Sequence, residues 1–288
     1  MSFQAKIIAD SVSGDGVRLT TFQLRFHRFI LPEFNTHRSF SRNFSSSRAI
    51  PVAKIIEQVR FDPAIPVHWG KNQPGMQAHE ELTGASLDLA KKAWLEASEA
   101  AVEAANRMVD VGVHKQVVNR VLEAFQWVGG VVTATEWDNF FELRAHPDAQ
   151  PEIQALAYLM KEKMEASTPR EMQRGDWHLP YVQPHEFADY GDDVELLKKV
   201  SAARCCRVSY MKHDGTHANI EEDLALCNRL VGSRPLHASP FEHQATPDQW
   251  NVQRGGGFGW DYPHLHGNFN GWIQHRKEVE LEVWNKEV

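Results

Sequence analysis

The sequence predicts an α+β fold, a mixed sheet with a helical middle region, on three observations. Residues 17–30 alternate apolar and polar side chains, as a half-buried strand does. Residues 86–110 form an Ala-, Leu-, Glu- and Lys-rich run with apolar residues three and four apart, the period of an amphipathic helix. Beyond a stretch rich in Pro, His, Asp, Gly and aromatics, helical and strand-like patterns restart at Leu196.

Taken in order, Met1 to Lys6 lacks the basic-then-apolar pattern of a leader. The strand over 17–30 ends at Pro32. Thr83 or Ser86 supplies an N-cap for the helix that runs to Asp110, and Gly112 stops it. A second helix is expected from Lys115 to Trp127, where Gly129-Gly130 interrupts, and a third from Glu152 to Ala166, ended by Ser167-Thr168-Pro169. The chain therefore divides into a half at 1–167, a connecting stretch at 168–195 and a second α/β half at 196–288.

Composition narrows the function. With 42% hydrophobic and 24% charged residues the chain can bury a core, and a net charge of −7 argues against a general nucleic-acid binder, which needs clustered Lys and Arg. No window approaches the roughly 18 apolar residues of a membrane span, so a soluble, cytoplasmic protein is expected. Three cysteines, Cys205, Cys206 and Cys227, fit neither a disulfide framework nor a zinc spacing. The histidine-rich spots at His68, His178 and His264 to His266 lack a recognisable metal-ligand pattern, and no metal is expected. Gly255-Gly256-Gly257 lacks the flanking residues of a phosphate loop and reads as a turn.

The segment richest in chemistry is Thr36-His37-Arg38-Ser39-Phe40-Ser41-Arg42-Asn43-Phe44-Ser45-Ser46-Ser47-Arg48. Hydroxyls, amides and arginines crowded after a strand suit a phosphate, and equally a polar surface loop with a helix cap. The segment resembles the signature of flavin-dependent thymidylate synthases: Arg-His-Arg, seven residues, Ser, and Arg two residues later, with His37, Arg38, Ser46 and Arg48 in register and Thr36 in place of the first arginine. Asn139-Phe140-Phe141-Glu142-Leu143-Arg144, followed by Ala149-Gln150 and Glu152-Ile153, resembles a second segment of that family, and Asn119-Arg120-Val121-Leu122 a third. His237-Ala238-Ser239-Pro240-Phe241-Glu242-His243, Ala203 to Tyr210 and Glu221-Glu222-Asp223 are similar to the family's N-terminal region, here displaced about 200 residues beyond the signature, so the chain reads as permuted or partly duplicated. The approach to a second signature, Gly271-Trp272-Ile273-Gln274-His275-Arg276, lacks the serines and precedes an acidic run; it either completes a flavin pocket or is structural.

The resemblance implies an FAD enzyme, a homotetramer with shared sites, that converts dUMP to dTMP with methylenetetrahydrofolate and NADPH. It implies flavin contacts for Thr36, His37, Arg38, Asn139, Leu143, His237 and Ser239, and nucleotide contacts for Ser46, Ser47, Arg48 and Arg120. Arg144 would bind the pyrimidine and stabilise the negative charge that develops on it. Glu33 stands where the family has a base-facing glutamine, and a carboxylate there can accept from a cytosine amino group, which opens the alternative of a dCMP methylase or a pyrimidine hydroxymethylase. Thr36, Phe44 and Asp148 depart from the family pattern and open another: a flavin- or nucleotide-binding protein without turnover.

Overall fold

A computed structural model describes residues 2–208, 219–253 and 256–285. Its centre is a mixed five-stranded sheet of β1 (Gln4–Ser13), β2 (Arg18–His27), β3 (Ser41–Phe44), β4 (Trp127–Ala134) and β5 (Arg170–Met172), in the order β3-β4-β2-β1-β5. Three pairings are antiparallel and only the β1–β5 edge is parallel. Around it lie the short α1 (Leu31–Phe34), α2 (Val52–Phe61), the long α3 (Gly84–Asp110), α4 (Lys115–Val118), α5 (Asp138–Arg144), α6 (Pro151–Glu165), α7 (Pro184–Tyr190), α8 (Val194–Arg207) and α9 (Ile220–Gly232). The C-terminal part adds β6 (Ala245–Pro247), which pairs with β9 (Trp272–Gln274), a hairpin of β7 (Trp250–Val252) and β8 (Phe258–Trp260), and α10 (His275–Asn285). No helix of the described residues is long and apolar enough to cross a membrane.

The sheet is covered on both sides, which corrects the half-buried reading of β2. Phe22, Leu24 and Phe26 point with Val128 and Val132 into a core closed by Ile153, Leu156 and Met160 of α6 and by Phe34, Phe40 and Phe140. On the opposite face, Leu19 packs with Met172, Ala245, Phe269 and Trp272, and Val131 with Tyr181 and Cys205. The polar residues of that face are buried too. His178 sits between Ser11 (Nδ1 to Oγ, 2.8 Å) and Thr21 (Nε2 to Oγ1, 2.7 Å). Thr21 meets Thr133 at 2.7 Å, and Thr133 meets Nδ1 of His243 at 2.8 Å. This chain of hydrogen bonds ties three strands to the segments at 178 and 243, and burial holds both imidazoles neutral with pKa values near 3.

Three other expectations change. The segment 115–127 is not one helix: α4 gives way to a 3-10 turn over Asn119–Phe125, and Trp127 opens β4. Gly129-Gly130 does not interrupt but lies within β4, paired with Leu24 and Arg25 of β2. A Cβ on Gly130 would stand 2.0 Å from the Phe44 ring, so glycine is what lets Phe44 cross the sheet face and reach Phe26 and Phe34. The signature segment is not a free loop after a strand, because α1 intervenes and its Ser41–Phe44 portion is itself β3, paired with β4.

Helix α3 starts two residues before Ser86 and ends as expected at Gly112, whose φ of +81 other residue types avoid and whose N–H reaches Val109 O at 2.9 Å. Helix α6 spans Pro151–Glu165, with the Gln150 side chain capping Ile153 N–H. Within 168–195 the structure places β5 and α7, and His178, Leu179 and Tyr181 are buried. Of the family-like stretch from Ala203, Ser209 and Tyr210 lie outside the described residues, as does Gly255 of the glycine turn.

Candidate active site

After β2 the backbone coils without a break through a 3-10 turn, Arg28–Ile30, into α1, whose first turn carries Pro32. Arg28 and Glu33 are thereby set five residues apart on one helical run, about 8–10 Å along its axis at 1.5–2.0 Å per residue. Each anchors a separate cluster.

The first cluster joins three residues that the motifs single out. Arg144, at the C-terminal end of α5, donates from Nε to His37 Nε2 at 3.0 Å and from Nη1 to the Glu33 carboxylate. His37 is buried, its ring beside Phe40 and edge-on to Phe140. Burial, then the charges of Arg144 and Arg42, lowers its pKa from 6.5 to about 4. A neutral ring with a lone pair at Nε2 is what an arginine donor requires, which assigns the proton to Nδ1. Two acceptors thus fix the guanidinium plane, and among the described residues its remaining N–H groups have no protein acceptor.

The second cluster gathers Ser47, Arg120 and a residue not anticipated from the motifs, Arg28, around Glu123. Ser47 Oγ, Arg120 Nη1 and Arg28 Nε approach Glu123 Oε1 at 3.0, 2.9 and 3.3 Å. Asn119 donates to the carbonyls of Ser47 and Ile50 and so pins the signature segment to the 3-10 turn. Ser46 and Arg48 are exposed beside it, Ser46 Oγ accepting the Arg48 N–H at 3.3 Å. The Arg48 guanidinium has no protein partner among the described residues.

A cleft of about 1240 Å³ runs past Glu33, Leu143 and Arg144. It is also lined by Phe29 and Trp94, by the turn between α5 and α6 and by residues of the segment from Pro66 to His79. That segment, which carries no sequence signal, is held to the turn and to α6 by Gln77, whose side chain donates to the Asp148 carbonyl at 3.1 Å, and by the Val67 N–H on Glu152 at 3.0 Å.

A second cleft, about 490 Å³, brings the signature and its C-terminal echo face to face: Arg38 and Arg42 on one side, Arg276 and Lys277 on the other, with Glu242 between them. Arg276 is engaged by Glu242 and Glu280, and His275 by Glu278 at 3.0 Å. Arg42 donates only to the His37 and Phe40 carbonyls, and its burial lowers its pKa.

The remaining motif residues stand apart. Thr36 is exposed and bonds to the Glu33 carbonyl at 2.7 Å, Asn139 is exposed on α5, and neither lines a cleft. His237 is exposed, and it and Ser239 lie outside both clefts, although Glu242 of the same segment lines the second.

Residues 18–170 match the thymidylate synthase complementing protein family, just over half of the chain. The chain belongs to that family. Solved structures similar to it include a UMP/dUMP methylase, PolB, from Streptomyces cacaoi. In its complex with 5-Br UMP the identity is 18% and the TM-score 0.46, over 57% of this chain and 89% of that one. In its complex with 5-Br dUMP the identity is 18% and the TM-score 0.49, over 57% and 90%. No curated protein matches. The thymidylate synthase complementing match ends at 170, so it contains Glu33, His37, Ser47, Arg48, Arg120 and Arg144 but neither Ser239 nor Arg276.

Proposed function

We propose that the chain is a flavin-dependent thymidylate synthase, which methylates dUMP at C5 to give dTMP with methylenetetrahydrofolate as carbon donor and NADPH as reductant. The observation that carries this reading is Arg144 on the wall of the large cleft, its plane fixed by His37 and Glu33 and its other N–H groups open to a ligand. A permanently charged, preorganised donor stabilises the negative charge that appears on a pyrimidine when it becomes a carbon nucleophile at C5. The base would lie at Arg144 and the phosphate at Ser46, Ser47, Arg48 and Arg120, with the helical run of residues 28–34 spanning the distance between them. The large cleft exceeds what a single nucleotide fills, leaving room for a second substrate beside it.

The residues present fit a flavin dinucleotide. Arg38, Arg42, Arg276 and Lys277 converge on one cleft, and cations so placed match the phosphates of FAD, while Leu143 offers apolar surface in the larger cleft and His37, buried beside Arg144, lines neither. The chemistry the flavin supplies when bound is hydride transfer, with NADPH as its source. His237 and Ser239, outside both clefts, suit a site completed between subunits of a homotetramer. The direct test is formation of dTMP from dUMP, methylenetetrahydrofolate and NADPH by FAD-loaded protein, resolved by chromatography; absence of product with all four present contradicts the proposal.

Glu33 favours a second reading, a cytosine nucleotide as substrate, with methyl or hydroxymethyl as the group added. Its carboxylate lies beside Arg144 in the cleft, and a negative charge at the base edge opposes ionisation of uracil while it accepts well from a cytosine amino group. Binding of dUMP at least as tight as dCMP removes this reading.

The phosphate assignment has its own test. Arg48→Ala is expected to weaken nucleotide binding by about 2 kcal/mol, roughly thirtyfold, through loss of one charge-assisted contact. An unchanged dissociation constant places the phosphate elsewhere.

A further inference from the structure

The donors of the second cluster are already engaged, and by a carboxylate. Glu123 Oε1 receives Arg28 Nε at 3.3 Å, Arg120 Nη1 at 2.9 Å and Ser47 Oγ at 3.0 Å. These donors come from three separated stretches of chain, and two are cations converging on a single oxygen. A phosphate oxygen is bound in the same way. The cradle is also braced from behind: Arg28 Nη1 and Nη2 reach the Ser45 carbonyl at 3.3 Å and Ser47 Oγ at 3.4 Å, and its backbone N–H is tied to Gln126 O at 2.8 Å. Glu123, by contrast, sits in a 3-10 turn with its side chain 29% exposed, free to swing outward without opening the core.

Resting on the reading of this cluster as the phosphate site, we infer that Glu123 is a resident stand-in for the nucleotide's phosphate. In the free chain it neutralises Arg28 and Arg120 and holds Ser47 in place. A nucleoside monophosphate displaces it, and Arg28 then becomes a phosphate ligand. Two anions do not share one set of donors, so binding exchanges the carboxylate for the phosphate. The phosphate carries between one and two charges against the single charge of Glu123, which lets it win the exchange. A nucleoside lacking the phosphate neither displaces Glu123 nor competes with it. The device therefore keeps the donors ordered in the free chain at the cost of weaker phosphate binding, and leaves nucleoside binding untouched.

The test is equilibrium binding of inorganic phosphate, dUMP and deoxyuridine to the full-length protein and to its Glu123→Gln and Glu123→Ala variants, each checked for folding by circular dichroism. Removing the stand-in is expected to tighten inorganic phosphate and dUMP about tenfold in both variants, corresponding to about 1.4 kcal/mol, and to leave deoxyuridine unchanged. Unchanged or weaker phosphate and dUMP binding in the folded variants overturns the inference, and weaker binding of both dUMP and deoxyuridine would make Glu123 a contact of the sugar. A different pattern marks failure of the underlying reading. If dUMP and deoxyuridine bind equally to all three proteins and phosphate binds to none, the cluster is not a phosphate site and the inference falls with it.

Discussion

Replacing Arg144 by alanine is expected to abolish turnover while the fold persists. Arg144 is the last residue of α5, with its side chain about one-fifth exposed on the cleft wall, so truncation leaves the core of Phe34, Phe40 and Phe140 in place. The loss falls on chemistry, because the arginine contributes most where negative charge develops. Removing one preorganised donor of this kind lowers kcat by about a hundred- to a thousandfold. Arg144→Lys is expected to recover little, since a lysine cannot donate to His37 and Glu33 and still present a planar fork to the base. Steady-state rates with the fold checked by circular dichroism decide this, and wild-type-like turnover in Arg144→Ala refutes the role.

The second large effect is on stability in acid. His178 and His243 are buried in the Thr21–Thr133 chain, and burial lowers each pKa from 6.5 to about 3. In the unfolded chain both titrate near 6.5. Between about pH 3 and pH 6.5 the unfolded state therefore binds more protons than the folded one, and stability rises with pH across that window. It is complete above pH 6.5 and falls as the solution is acidified, by roughly 1.4 kcal/mol per pH unit for each ring and about 3 for the two. His27 and His37, each lowered to about 4, act in the same direction. Denaturant unfolding at pH 7.5, 6.0 and 5.0 measures the slope, which corresponds to uptake of about two or more protons on unfolding. A stability that does not change from pH 7.5 to 5.0 shows that these rings are not buried neutral.

What could be read from the sequence was the periodic and the motif-bearing part. The alternation of Phe22, Leu24 and Phe26 and the helical spacing through α3 and α6 are local signals, and the structure realises them. The intervening Thr21 and Thr133 have no such signal. Thr21 falls on the polar face of the predicted strand and Thr133 in a stretch with no assignment, yet His178 and His243, more than 100 residues away, cover them. Gly129-Gly130 reads as a break because a glycine pair resembles a turn, whereas Gly130 is needed so that the Phe44 ring can lie across β4. Strand β1 carries no such signal because Lys6, Asp10 and Ser11 blur its alternation; Asp10 is bound to Arg18 of the neighbouring strand, at 2.6 and 2.9 Å, rather than hydrated.

The site divides along the same line. Glu33, His37 and Arg144 belong to motifs, and the structure brings the three together. Arg28 sits at the end of an alternating strand, where a polar residue attracts no notice, and its partner Glu123 is 95 residues away. Arg276 and Lys277 precede an acidic run that suggests repulsion of a phosphate, but Glu242 and Glu280 pair with Arg276 and leave the cleft with more cations than acids. A pairing set by tertiary contact leaves no mark in local spacing.

The central claim, a flavin and a pyrimidine nucleotide bound together at Arg144 and the signature segment, is tested most directly by visible absorption of the purified protein with FAD, titrated with dUMP and separately with dCMP. The account predicts a bound-flavin spectrum that dUMP perturbs in a saturable way, with dCMP alone doing so if Glu33 selects cytosine. A protein that binds no flavin, or whose bound flavin responds to neither nucleotide, contradicts it.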